Sequence, residues 1–128
     1  MKIKLFNRPQ NALIYIAPEV SSLANFALDF WRLSKRIDKT RKQIGEEDYK
    51  PVKYSLESCA RRLVELGIEI KEFTNVEYKS TLNLDVVTYE SDSKLKGEAI
   101  VKETIEPAII YKDHLIKRAK VIVVTPSR

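Results

Sequence analysis

VKYSLESCARRLVELGIEI, residues 52–70, changes its period partway along, and that change decides the fold. Up to Leu66 the apolar positions Val52, Leu56, Cys59, Leu63 and Leu66 step by 3 and 4, the spacing of one helical face. Gly67 then supplies the left-handed residue on which helices commonly stop. Ile68 and Ile70 alternate with Glu69, as a strand requires. Pro51 lies near the helix start, and Arg61 and Arg62 near its C-terminus complement the helix dipole. Cys59 falls on the apolar stripe, so the spacing makes it a small core residue rather than a nucleophile.

Upstream, Val20, Leu23, Ala27, Phe30, Ser34, Ile37, Arg41 and Ile44 also step by 3 and 4, with Ala24, Leu28 and Trp31 widening the stripe. This predicts a long amphipathic helix from Pro18 to Gly45, packed hard in its first half and running toward solvent in its second. The stretch GEEDYKP, residues 45–51, reads as a connector. Residues 1–17 alternate weakly at Ile3 and Leu5 and hold ALIYI after an Asn7–Asn11 turn cluster, which suggests a short strand or hairpin.

Downstream the period stays at two. NVEY, LNLDVVTYE, GEAIVKETI, AIIYKD and LIKRAKVIVV read as short strands, punctuated by Lys79-Ser80-Thr81, Asp92-Ser93, Gly97, Pro107 and Lys112-Asp113. Two amphipathic helices followed by a small all-β domain of about six short strands define an α+β chain, with sequential antiparallel pairing expected. The expected division is an N-terminal segment 1–17, a helical region 18–66 and a β-domain 67–128.

The 128 residues suit one domain with a helical appendage, and no run reaches the roughly 20 apolar residues of a membrane span. Arg8, Pro9, Gln10 and Asn11 interrupt any signal-peptide core, and the single cysteine fits a reducing compartment. A soluble, cytoplasmic protein is expected. The net charge of +5 resides in one segment: Arg32, Lys35, Arg36, Lys39, Arg41 and Lys42 against Asp38. That segment is a solvated helix face or an attractor of phosphate or an acidic partner.

The chemistry of enzymes is hard to find. The three glycines are far apart, so no phosphate-cradling loop forms. The one histidine, His114, falls in an expected turn and builds no multi-histidine metal site. Glu46, Glu47 and Asp48 suit helix-end and turn chemistry. No catalytic residue, metal or cofactor is expected. Basic residues of the β region, Lys117, Arg118 and Lys120, have few exposed aromatics among them and make a poor stacking platform for nucleic acid.

LVELGIEIKEFTNVEYKSTLNLDVVTYESD, residues 63–92, resembles the junction and first strands of the GrpE family, nucleotide-exchange factors of DnaK-type chaperones. The family's bundle helix ends at a glycine followed by an aliphatic and often a glutamate, as Gly67-Ile68-Glu69 does. It continues with a segment like Glu90-Ser91-Asp92, then a glycine, here Gly97. The family's closing hairpin is similar to the run from Lys112 through His114, Lys117 and Ala119 to Val123. The two helices from Pro18 to Leu66 look like its helical bundle. The resemblance implies that Asn83, Asp85, Lys112, Asp113, His114 and Lys117 face the ATPase domain of a DnaK-type chaperone.

The chain departs from that family in two ways. Only 17 residues precede the first helix, so the long N-terminal helix has no counterpart. The family's histidine falls on Asn83, its hairpin arginines on His114 and Lys117, and a lysine does not reproduce a bidentate arginine contact.

Bulky residues on more than one side of the first helix call for a partner. The expected assembly is a homodimer through Leu23, Ala27, Phe30, Trp31, Leu56 and Leu63. The alternative is a monomer whose segment Ile3–Ile16 covers the helices. The functional expectation is a GrpE-like co-chaperone that binds an actin-fold ATPase and promotes ADP release. Its rivals are a basic dimer that binds nucleic acid through the Arg32–Lys42 face, and a structural adaptor with another partner.

Overall fold

A computed structural model describes residues 17–127. The N-terminal strand or hairpin, and the covering role considered for Ile3–Ile16, lie outside them. The chain divides after Ile68 into a helical unit and a β unit.

In the helical unit, α1 spans Pro18–Lys39, with the proline at its first position and Glu19 in its first turn. Val20, Ala24, Ala27 and Leu28 are its buried residues. The helix stops at Lys39, six residues before Gly45. Thr40 is responsible: its Oγ1 donates to the Ile37 carbonyl at 3.0 Å, offering the backbone an alternative partner that interrupts the helical ladder. A single turn, α2 (Arg41–Ile44), follows.

Gly45, at φ +82°, then reverses the chain, and α3 (Glu46–Glu65) begins on the next residue. The expected connector is therefore mostly helix. Glu46, Glu47 and Asp48 form its first turn, where carboxylates meet the positive end of the dipole. Pro51 sits inside the helix and lacks the amide that would bond the Glu47 carbonyl. Tyr49, Leu56 and Leu63, seven residues apart, are buried. Cys59 is exposed, contrary to the expectation of a core residue, because it lies to the side of that buried line. Leu66 caps the helix and is also exposed.

The β unit holds six strands in two three-stranded sheets. They are β1 (Ile68–Lys71), β2 (Asp85–Asp92), β3 (Ile100–Glu106), β4 (Ala108–Tyr111), β5 (His114–Lys117) and β6 (Lys120–Pro126). One sheet has the order β1-β4-β5, the other β2-β6-β3. Sequential antiparallel pairing holds only for the β4–β5 hairpin. β6 lies at the centre of its sheet, parallel to β2 and antiparallel to β3.

Burial explains this order. Val121 and Val123 are fully buried and Val124 nearly so, and the most apolar strand takes the position with a neighbour on both edges. The expected single strand LIKRAKVIVV breaks at Arg118-Ala119, so its halves enter different sheets. NVEY makes only one bridge, Glu77 to Ile100, although Tyr78 and Val101 exchange backbone bonds with that neighbourhood.

Leu84, Val101, Ala108, Ala119, Val121 and Val123 form the core of this unit, with Phe73, Tyr78, Leu82, Val86 and Ala99 packed against it. Buried Thr104 ties in the loop after β1. Its Oγ1 accepts the Phe73 amide at 3.0 Å and lies 2.9 Å from the Thr74 hydroxyl, which in turn accepts the Thr104 amide at 3.2 Å.

Candidate partner-binding surfaces

The terminal hairpin of the β unit turns on two residues. Lys112 and Asp113 have φ +46° and +68°, the pair of positive values a type I′ turn needs. Two-residue loops of this hand match the strand twist, which is why the hairpin closes so tightly although neither residue is glycine. Tyr111 pairs with His114 across it. The Lys112 ammonium lies 5.2 Å from the Tyr111 ring centroid, a cation–π contact that draws the lysine back along the hairpin. Lys112 and Asp113 are exposed, while His114 is half-buried.

Lys117 lies at the other end of β5, opposite Ile109. Four to five residues at about 3.3 Å each separate it from the turn, roughly 15 Å along the strand. Asp85 belongs at that far end: its amide donates to the Ala119 carbonyl at 2.8 Å and its carboxylate meets Arg118 at 3.2 Å. Asn83 is exposed two residues earlier. The six residues implied by the resemblance thus form two groups on one unit, Lys112-Asp113-His114 at the turn and Asn83-Asp85-Lys117 at the strand crossover.

In the sequence Arg118 reads only as one of the basic residues of the β region. Besides Asp85 it donates to the Leu84 carbonyl at 3.1 Å, so it fixes the crossover at which the chain changes sheets. A charged residue breaking an otherwise alternating strand was the available signal.

The helical unit carries two further surfaces. Asp38 fixes how α1 faces α3: it accepts from Tyr49 at 2.8 Å and from Lys53 at 3.0 Å. Partial burial works to raise the Asp38 carboxyl, but the Tyr49 hydroxyl, Lys53 and Lys35 outweigh it and hold it below its ordinary value. The same contact with Asp38 raises Lys53.

Around α1 from that facing line, at about 100° per residue, Leu23, Phe26, Phe30, Leu33 and Ile37 all fall to one side. They step by 3 and 4 without interruption, and Phe26 and Leu33 are more than half exposed. On α3, Val52, Cys59 and Leu66 share one side, and all three are exposed. Arg32, Lys35, Arg36 and Lys39 occupy the opposite side of α1.

Of the residues expected in a dimer interface, Ala27, Leu56 and Leu63 are already buried within one chain, and Leu23, Phe30 and Trp31 are half-buried. The basic segment is also thinner than its sequence count. Arg41 donates to Glu46 at 2.6 and 3.0 Å, and Arg32 lies 3.6 Å from Asp29.

No group of three metal-ligating side chains occurs among the described residues. No helix among them is long and apolar enough to cross a membrane. No protein-family model matches the chain, and no curated protein matches it.

Proposed function

We propose that the chain is a GrpE-like adaptor, cytoplasmic and without catalysis or cofactor of its own, whose β unit binds the ATPase domain of a DnaK-type chaperone and promotes ADP release. The observation that carries this reading is the terminal hairpin. A tight turn projects Lys112 and Asp113 from a packed base, at the position where the resembled family presents its partner-binding residues. The order of elements, long helices and then two three-stranded sheets, supports it.

An exchange factor works by differential affinity: it binds the ATPase lobe opened away from nucleotide better than the closed one, so ADP leaves faster. A rigid hairpin suits this role, because a surface fixed in advance loses little conformational entropy on binding.

Homodimerisation belongs to the same proposal, through the exposed apolar side of the helical unit. One side of two helices about 30 Å long and 10 Å apart offers on the order of 600 Å², near the roughly 800 Å² per partner that stable interfaces bury. Its uninterrupted 3–4 spacing suits a second copy of the hairpin in a four-helix bundle.

Stopped-flow release of fluorescent ADP from the host's DnaK-type chaperone tests the reading. Acceleration by this protein, abolished in a Lys112→Ala, His114→Ala, Lys117→Ala variant, is expected. No acceleration by folded protein would leave an adaptor with another partner.

A further inference from the structure

The sheet β2-β6-β3 has a core face and an outer face. Val101, Val121 and Val123 belong to the core, so Val124, next along β6, lies on the outer face. Its neighbours in register are Glu90 of β2 and Ile100 of β3. Lys102 reaches across that face, its ammonium 2.6 Å from the Glu90 carboxylate. Beyond Glu90 the chain turns, and the Asp92 carbonyl accepts the Leu95 amide at 3.1 Å and the Ser127 amide at 3.2 Å. At the β3 edge, Asn75, with φ +70°, donates its backbone amide to the Val101 carbonyl at 2.8 Å. These residues line a hollow of about 360 Å³, a size within the range of small-ligand sites.

Val124, Ile100 and Leu95 give the hollow apolar surface, and Glu90, Asp92 and Lys102 give it charge. The charges do not balance. Lys102 is committed to Glu90, whereas Asp92 makes no ion pair among the described residues. Lys94 and Lys96 belong to the loop after Asp92 but do not line the hollow. Each carboxylate has one oxygen engaged: Glu90 Oε1 accepts from Lys102 at 2.6 Å, and Asp92 Oδ1 accepts the Lys94 amide at 2.9 Å. A guanidinium fork prefers both oxygens of one carboxylate. An ammonium donates in three separate directions and suits single oxygens on different residues.

We infer that this hollow binds a primary alkylammonium group, the chemistry shared by a lysine side chain and a free alkylamine. The aliphatic stem lies along Val124, Ile100 and Leu95, as the stems of long cationic side chains lie along apolar surface. The nitrogen meets the remaining oxygen of Asp92, with that of Glu90 as a second acceptor. Its charge brings the lining to neutrality. This inference rests neither on chaperone binding nor on the dimer, because no lining residue belongs to the terminal hairpin or to the helical unit.

Amide chemical shifts of the full chain, titrated with pentylamine at neutral pH and low salt, test it. Saturable shifts should centre on Asn75, Leu95, Lys102 and Val124. Pentanol, with the same stem and no charge, and pentylguanidine should each bind at least about 10-fold more weakly. Asp92→Asn keeps an acceptor for the Lys94 amide, so the turn stays, and it should weaken pentylamine about 10-fold. Lys102→Met releases Glu90 and should tighten pentylamine about 3-fold, whereas loss of a merely structural residue would weaken it. A blocked Gly-Lys-Gly peptide separates the two sources. Binding as tight as that of pentylamine assigns the hollow to lysine side chains, and weaker binding assigns it to free amines. Absence of shifts at these amides would overturn the inference, as would an equal response to pentanol or indifference to Asp92→Asn.

Discussion

The two units of this chain differ in how fully they enclose their large apolar residues. The β unit holds most of the large side chains that are fully buried, Ile109, Val101, Val121 and Val123, although Val87 and Tyr89 stay more than half exposed. The helical unit buries Val20, Ala24, Ala27, Leu28, Tyr49, Leu56 and Leu63, with Val20 its one large side chain fully buried, and leaves Phe26, Leu33, Val64 and Leu66 more than half exposed. Both carry similar alternations of apolar and polar residues in sequence. The difference is that a small sheet pair closes on itself, whereas two helices have more apolar circumference than one mutual contact covers. On the proposed reading, the β unit is complete as one chain and the helical unit takes a second copy.

The largest test of that contrast is Ile109→Ala. Removing a fully buried side chain should cost about 2–5 kcal/mol and lower the melting temperature equally at all protein concentrations. A loss that shrank as protein was added would mean that the β unit also depends on association. Next in size, Phe26→Asp with Leu33→Asp should lower the stability of the assembly by about 1–2 kcal/mol per residue and leave the monomer's helicity intact. A melting temperature independent of concentration in the unaltered protein would break the contrast at this point.

Asp38 sharpens the picture of how α1 and α3 face each other. Its carboxyl lies below the ordinary 3.8, so its contribution is present above 3.8 and fades as pH falls through the lower folded value. Lys53 lies above the ordinary 10.5, so its share is kept below 10.5 and lost beyond. Asp38→Asn should therefore cost about 0.5–1 kcal/mol at neutral pH and flatten the acid limb of the stability curve, measured by circular dichroism melts. An unchanged acid limb would assign it to other carboxylates. The smallest effect is expected for Asp113→Gly, where relief of positive φ and added chain entropy offset each other to within about 0.5 kcal/mol. The same change should slow no step of hairpin formation.

Much of this was readable in the sequence, for local reasons. Gly67 marks where the helical period gives way to alternation, and Pro107 and Lys112-Asp113 mark turns, because backbone geometry at those residues is decided within a few neighbours. Thr40 is not legible as a helix stop, since a threonine that satisfies its own helix leaves no break in apolar spacing. GEEDYKP reads as a connector because three acidic residues and a proline resemble a loop, while at a helix start the dipole makes them favourable.

Pairing was the least legible. That β6 lies beside β2 in parallel depends on burial across the whole unit, which no single stretch encodes. Cys59 illustrates a finer limit: a 3–4 step includes residues up to 100° apart, so a stripe in sequence does not say which edge of it faces inward. For the candidate surfaces, the turn residues were legible as a turn, and Arg118 became visible only once the strand was seen to change sheets.

Sedimentation equilibrium of the full chain, from low to high micromolar concentration, tests most directly whether the helical unit needs a second copy. The account predicts a mass of twice 14.8 kDa, reverting to a single chain in the Phe26→Asp, Leu33→Asp variant with its helicity retained. A mass of 14.8 kDa at every concentration would contradict it.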